Sequence, residues 1–213
     1  MLLISGFEPF DGADINPSAS VVEALENDPP PGIDLATTIL PVETGVAAEH
    51  LLSMIDQCGA DIVVMLGEAR GRPSICIEQV ALNLLDFSIP DNAGQQIQER
   101  KISPDGPDAI FATLPVRRLV DGLCMQDIPT ERSLSAGTYL CNEISYRILE
   151  QSRKQDGSPS PIAGFIHLPS LPSQSAVLEG KIPSMSLDLQ IQAVRSIIEI
   201  LKQSDSDDGS QVS

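Results

Sequence analysis

Short apolar runs, each closed by glycine or proline, recur along this chain as "LLISG", "LATTILP", "DIVVMLG" and "IAGFIHLP". Between them lie segments with helical spacing: "SASVVEALE", "GVAAEHLLSMIDQC" and "MSLDLQIQAVRSIIEILKQ". Runs with little polar alternation must bury both faces, which places these strands inside a sheet covered by helices on either side. Aromatic residues make up only 3% of the chain and Trp is absent, so Leu, Ile, Val and Ala must build the interior, as suits a buried parallel sheet. The expected fold class is α/β, a single-domain open twisted sheet sandwiched between helices. Its expected span is residues 1–202, with a disordered acidic tail, "SDSDDGSQVS" and the residue before it, over 203–213.

The remaining segments are less regular. "SICIEQVALNLLDF" reads as extended structure, and "IPDNAGQQIQERKISPDGPDAIFATLP" reads as a long surface excursion of the kind that often covers a site. "VRRLVDGLCMQ" is amphipathic, and "TERSLSAG" leads into a helix from Thr138 to about Gln151.

Thirty acidic against thirteen basic residues give a net charge of −17, a field that repels phosphate backbones and anionic lipid surfaces. Nucleic acid and membranes are therefore excluded as expected partners. The four cysteines, Cys58, Cys76, Cys124 and Cys141, show no C-x-x-C spacing, and no signal peptide or long apolar run is visible. Free thiols in a reducing cytoplasm are the expectation. Two histidines and scattered cysteines offer no metal-ligand cluster, so no metal is expected.

Reactive side chains are few. His50 lies mid-helix and reads as a surface or packing residue, whereas His167 ends an apolar run, where α/β proteins place functional groups. Cys141 falls in "SAGTYLCNEISY", the third residue after a Thr138 cap, so its sulfur would meet unpaired N–H groups and the positive end of a helix dipole. That environment favours a nucleophilic thiolate; a small buried hydrophobe is the other reading. Cys58, Cys76 and Cys124 have no capping context and read as core or incidental. Glu78, among apolar neighbours, either orients His167 or, on an edge strand, faces water. "GEARGR" fits neither a dinucleotide fingerprint nor a phosphate-binding loop.

Taken together, "GFEPFDGADINPS", "GRPSICIEQVALN", "IPDNAG", "AGTYLCN" and "GFIHLP" resemble, in order and over nearly the whole chain, the motifs of the type I pyroglutamyl peptidases, a family of intracellular cysteine peptidases. The resemblance implies an open α/β sandwich of the phosphorylase/hydrolase-like kind, removal of an amino-terminal 5-oxoproline residue from blocked peptides, no cofactor, and homo-oligomers. It maps Cys141 to the nucleophile, His167 to the base and Glu78 to the orienting acid. Phe7, Phe10, Asn16 and Glu68 fall on pocket positions around the lactam ring, with residues 138–140 running beside it.

Three positions depart from the family pattern: Glu68 stands where Gln is usual, and Gln79 and Ser88 stand where Arg is usual. Glu68 can accept a hydrogen bond from a lactam N–H but cannot donate to its carbonyl. Loss of the arginines would raise the pKa of Glu68 or Glu78. Retained pyroglutamyl specificity, an altered amino-terminal specificity and a catalytically quiet binding protein on the same fold are the competing expectations, and rapid alkylation of Cys141 would mark the enzyme.

Overall fold

The computed structural model describes residues 1–154 and 160–207. The apolar runs become β1 (Leu2–Phe7), β2 (Leu35–Leu40), β3 (Ile62–Glu68) and, late in the chain, β8 (Ile162–Leu168). Alternate side chains leave opposite faces of each strand. Leu2, Ile4, Ile62, Val64 and Leu66 enter one core, and Leu3, Phe7, Val63 and Met65 enter the other. Two buried faces explain why these runs lack polar alternation.

The first core is closed by α1 (Pro17–Asn27), α3 (Val116–Cys124) and α6 (Leu187–Asp207), the second by α2 (Val46–Cys58) and α4 (Leu140–Lys154). Helix α1 starts where Asn16 accepts from the Ser18 N–H and Pro17 sets the first turn. Gly59, left-handed at φ 63°, closes α2.

The six-stranded sheet has the order β2-β1-β3-β8-β4-β7, where β4 is Ile75–Glu78 and β7 is Thr130–Ser133. It is mixed rather than parallel, because β4 runs antiparallel to β8 while β1, β2, β3 and β8 are mutually parallel. The cause is the connection after β3. Residues 69–74 are too few for the crossover that a parallel pair requires, so the chain reverses. The segment "SICIEQVALN" accordingly breaks at Gln79 into β4 and β5 (Val80–Leu82), and β5 pairs outside the main sheet with β6 (Ala109–Phe111), a strand within the expected surface excursion.

One boundary and one short helix differ from expectation. Helix α6 continues to Asp207, past the expected domain end at 202, because no Gly or Pro interrupts the chain before Gly209. The rest of the expected tail, residues 208–213, lies outside the described residues. A short helix α5 (Pro172–Val177) follows β8, where "SLPSQSAVLEG" carries too little helical periodicity to announce it. Among the described residues no helix is long and apolar enough to cross a membrane.

Candidate active site

The reversal at residues 69–74 is what assembles the site. In the antiparallel β4–β8 pair Cys76 lies opposite His167, so Glu78, two residues along on the same face, becomes a diagonal neighbour of His167. His167 Nδ1 and Glu78 Oε1 are 2.8 Å apart, and both side chains are almost fully buried. β4 lies between β8 and β7, so the edge-strand reading of Glu78 does not hold.

Cys141 is the second residue of α4. Thr138 does not cap this helix: its hydroxyl instead donates to the Asp86 carbonyl at 2.7 Å. The turn before α4 is made by Gly137, left-handed at φ 81°. Across the sheet, Gly67 gives the thiol its room, since a Cβ there would sit 3.0 Å from Cys141 Sγ and 2.7 Å from Phe165 Cζ.

Electrostatics correct the thiolate expectation. Burial, reinforced by the Glu78 carboxylate, pushes the Cys141 thiol up to about 12, and the helix start does not offset it. Burial also pushes His167 below the usual imidazole value, against the pull of Glu78. Burial alone would raise Glu78, but the His167 hydrogen bond, the charge of His167 at the low pH where it is protonated, Ser133 and Arg72 hold it below the usual carboxylate range. The resting arrangement is a neutral thiol, a neutral imidazole and an ionised carboxylate. Expected protonation of Glu78 through lost arginines is overturned by Arg72, whose Nη1 lies 2.8 Å from Glu78 Oε1.

Cys141 and His167 open onto one cavity of about 250 Å³, and the four expected pocket residues Phe7, Phe10, Asn16 and Glu68 line it too. Asn16 is already engaged: Oδ1 accepts from the Ser18 N–H and hydroxyl, and Nδ2 donates to the Glu8 carbonyl. Glu68, 7% exposed, accepts from Ser170 Oγ at 2.6 Å and from Gln174 Nε2 at 3.1 Å to both oxygens. Gln79 and Ser88 do not line the cavity; Gln79 borders a groove beside α3, and Ser88 is exposed.

Sequence reasoning missed Arg72, Arg70 and Tyr139 as separate contributors, and all three line the cavity. Tyr139 lay within the stretch expected beside the ring, and its hydroxyl donates to the Pro90 carbonyl while its ring meets Phe87 edge-on at 4.7 Å. The segment around residues 87–95 is therefore fixed to the site: Asn92 Nδ2 also donates to Glu8 Oε1 and to the Pro9 carbonyl. Arg72 left a signal in "GEARGR", but only the β4 reversal shows which carboxylate it meets. His50 is exposed, 3.3 Å from the Thr38 hydroxyl and remote from the cavity lining. Cys58, Cys76 and Cys124 lie outside that lining. Among the described residues no group of three or more His, Cys, Asp or Glu is placed to hold a metal ion.

The pyroglutamyl peptidase family profile matches residues 1–204. The chain belongs to the pyroglutamyl peptidase family. Its members are cysteine-type omega peptidases. The chain is 38% identical over 199 residues to the pyrrolidone-carboxylate peptidase of Chromobacterium violaceum, covering 93% of this chain and 91% of that one. It is 37% identical to the pyrrolidone-carboxylate peptidase of Pyrococcus furiosus, covering 93% and 96%. The crystal structure of pyrrolidone carboxyl peptidase from Fervidobacterium islandicum superposes with a TM-score of 0.90 at 42% identity, covering 95% of this chain and 98% of that one. Pyroglutamyl peptidase I from Bacillus amyloliquefaciens gives 0.88 at 33% identity, covering 93% of each. The α/β sandwich is thus shared with these solved pyroglutamyl peptidases.

Proposed function

We propose that this protein hydrolyses the amide bond after an amino-terminal pyroglutamyl residue, with Cys141 as nucleophile, His167 as base and then acid, and Glu78 as the orienting carboxylate. The observation that carries this reading is one cavity lined by both the thiol–imidazole pair and the four expected ring-binding residues.

Glu78 holds Nδ1 of His167, which leaves Nε2 to exchange protons at the cavity. Sγ of Cys141 attacks the pyroglutamyl carbonyl as its proton passes to Nε2; the S–C bond forms and the carbonyl electrons move to oxygen. The first N–H groups of α4 lack intrahelical partners and are the donors available to that oxyanion. Collapse breaks the C–N bond, and the proton on Nε2 goes to the departing amine. Water, giving its proton to His167, then releases pyroglutamate and regenerates the thiol.

The walls suit an uncharged flat ring: Phe7, Phe10 and Tyr139 supply apolar surface. Both Glu68 oxygens are occupied, yet a carboxylate has about four lone-pair sites, so one remains for the lactam N–H. Peptides with a blocked amino terminus are the partners this reading requires. Four free cysteines support a reducing, cytoplasmic setting as part of the same proposal.

The test is hydrolysis of a pyroglutamyl fluorogenic amide beside the free amino-terminal Glu, Gln and Ala amides, with Cys141→Ala as the blank. Cleavage of the first alone, lost in Cys141→Ala by about 10³-fold or more, is the expected result. Preference for a free amine would overturn the substrate assignment, and an active Cys141→Ala would overturn the nucleophile.

A further inference from the structure

Arg72 sits in the β3–β4 connection, half-buried, with its guanidinium at the cavity. Nη1 donates to Glu78 Oε1 at 2.8 Å and to Ser133 Oγ at 3.3 Å, and Nη2 donates to the Ser135 carbonyl at 3.2 Å. Glu78 Oε1 is the same oxygen that lies 2.8 Å from His167 Nδ1. Ser133 ends β7, and Ala136, one residue beyond Ser135, is part of the cavity wall that leads into α4 and Cys141. One planar fork thus touches the acid directly, the base through a shared oxygen, and the turn ahead of the nucleophile through its second arm.

We propose that Arg72 is a positioning residue for the peptidase reaction, holding Glu78 on His167 and tying that pair to the turn of residues 133–136. This rests on the roles proposed above for Cys141, His167 and Glu78. A guanidinium suits the task because its donors are fixed in one plane and remain charged at any working pH. An ammonium can replace the charge but not both arms.

The charge has its own consequence. The titratable and charged groups around His167 are Glu78 and Cys76 from β4, Glu68 from β3, Cys141 from α4, Tyr139 just before it, and Arg70 and Arg72 from the β3–β4 connection. Arg72 opposes a proton on His167 and helps keep Glu78 ionised. A base must be neutral to accept the thiol proton, so activity falls as pH drops through the His167 pKa, which lies below the usual imidazole value. Removing the cation raises that pKa, so the acid limb of kcat/KM moves to higher pH.

The experiment compares wild type, Arg72→Gln and Arg72→Lys by pH-dependent kcat and KM on the pyroglutamyl amide. It adds the pH dependence of Cys141 alkylation by iodoacetamide, read by peptide mass spectrometry, which needs no peptide substrate. In Arg72→Gln, kcat is expected to fall about tenfold or more, with both acid limbs moved up. In Arg72→Lys the limbs are expected to return to the wild-type position while kcat stays below wild type, because the arm to Ser135 is gone. An unmoved limb in Arg72→Gln, or a loss confined to KM, overturns the proposal in favour of a substrate contact or a purely structural residue. Should Arg72→Gln fail to fold, an unchanged kcat in Arg72→Lys overturns it as well. If wild type does not cleave the amide while the alkylation limb moves, the substrate reading fails and the role of Arg72 stands; intact cleavage with unmoved limbs is the reverse.

Discussion

At the Cys141 end of the cavity four side chains share protons and charge, whereas at the Phe7 end the polar side chains already commit their hydrogen bonds to the fold. Glu78 Oε1 is contacted by both His167 and Arg72; these two shift the titration of Glu78, and Glu78 and Arg72 shift that of His167. Asn16 and Glu68 meet neutral partners instead: Ser18, the Glu8 carbonyl, Ser170 and Gln174. The difference assigns separate duties. One end is electrostatically coupled, so single changes there should act on kcat and on pH dependence. The other is a shaped wall, so changes there should act mainly on KM and stability.

The largest expected effect is at the coupled end. Glu78→Gln keeps the volume but removes the charge that supports an imidazolium and leaves the Arg72 guanidinium with only neutral partners. By analogy with loss of the carboxylate in serine-type triads, kcat should fall by about 10²–10⁴-fold, with KM within a few-fold of wild type, as read by steady-state kinetics. A loss carried by KM would erase the division between the two ends, because it would make Glu78 a binding residue.

Gly67→Ala sharpens the boundary between them. The added methyl meets the Phe165 ring and the Cys141 sulfur, and the fully buried Phe165 ring sits in a close-packed core that leaves it little room to move. Overpacking of this kind costs about 1–3 kcal/mol, and displacing Sγ from its line of attack should lower kcat by about tenfold to a hundredfold. Gly6→Ala is the matched control: its Cβ would lie 2.7 Å from the Ser18 carbonyl oxygen, a backbone clash at the start of α1 rather than at the thiol. Thermal melts should show both variants destabilised. Only Gly67→Ala should lose kcat beyond what its folded fraction explains.

The same division explains what could be read from the chain. Strands with no polar alternation were legible because burial on both faces leaves no other pattern, and Cys141 and His167 stood out as reactive groups at element ends. Glu78 was ambiguous, since "ICIE" fits an edge strand as well as a buried one; the six residues between β3 and β4 decide the matter by forcing the reversal. Arg72 was invisible as a partner for the same reason. The thiolate expectation failed on a quantity that is not local. A helix start is written in the sequence nearby, but the desolvation that lifts Cys141 comes from Gly67, Phe165 and the rest of a core assembled from distant segments. Glu68 likewise has its partners more than a hundred residues away in Ser170 and Gln174.

The smallest expected effect belongs to Glu68. In Glu68→Gln one carboxylate oxygen becomes an amide nitrogen, and a donor then faces Gln174 Nε2, which now reaches both oxygens at 3.1 Å. The lost hydrogen bond should destabilise the protein by about 1 kcal/mol. Gln174 Oε1 accepts from the Leu171 N–H, so a loosened Gln174 loosens the start of α5 as well as its hold on residue 68 in the cavity wall. KM for the pyroglutamyl amide should rise by about twofold to threefold with kcat unchanged, since no proton in the reaction passes through Glu68. The double change Glu68→Gln with Gln174→Glu restores a donor facing an acceptor and should recover both the melting temperature and KM. The Glu68 charge is a minor influence among those that raise the Cys141 thiol, so a large fall in kcat for the single variant would show that the carboxylate acts on the thiol through its charge rather than on the wall.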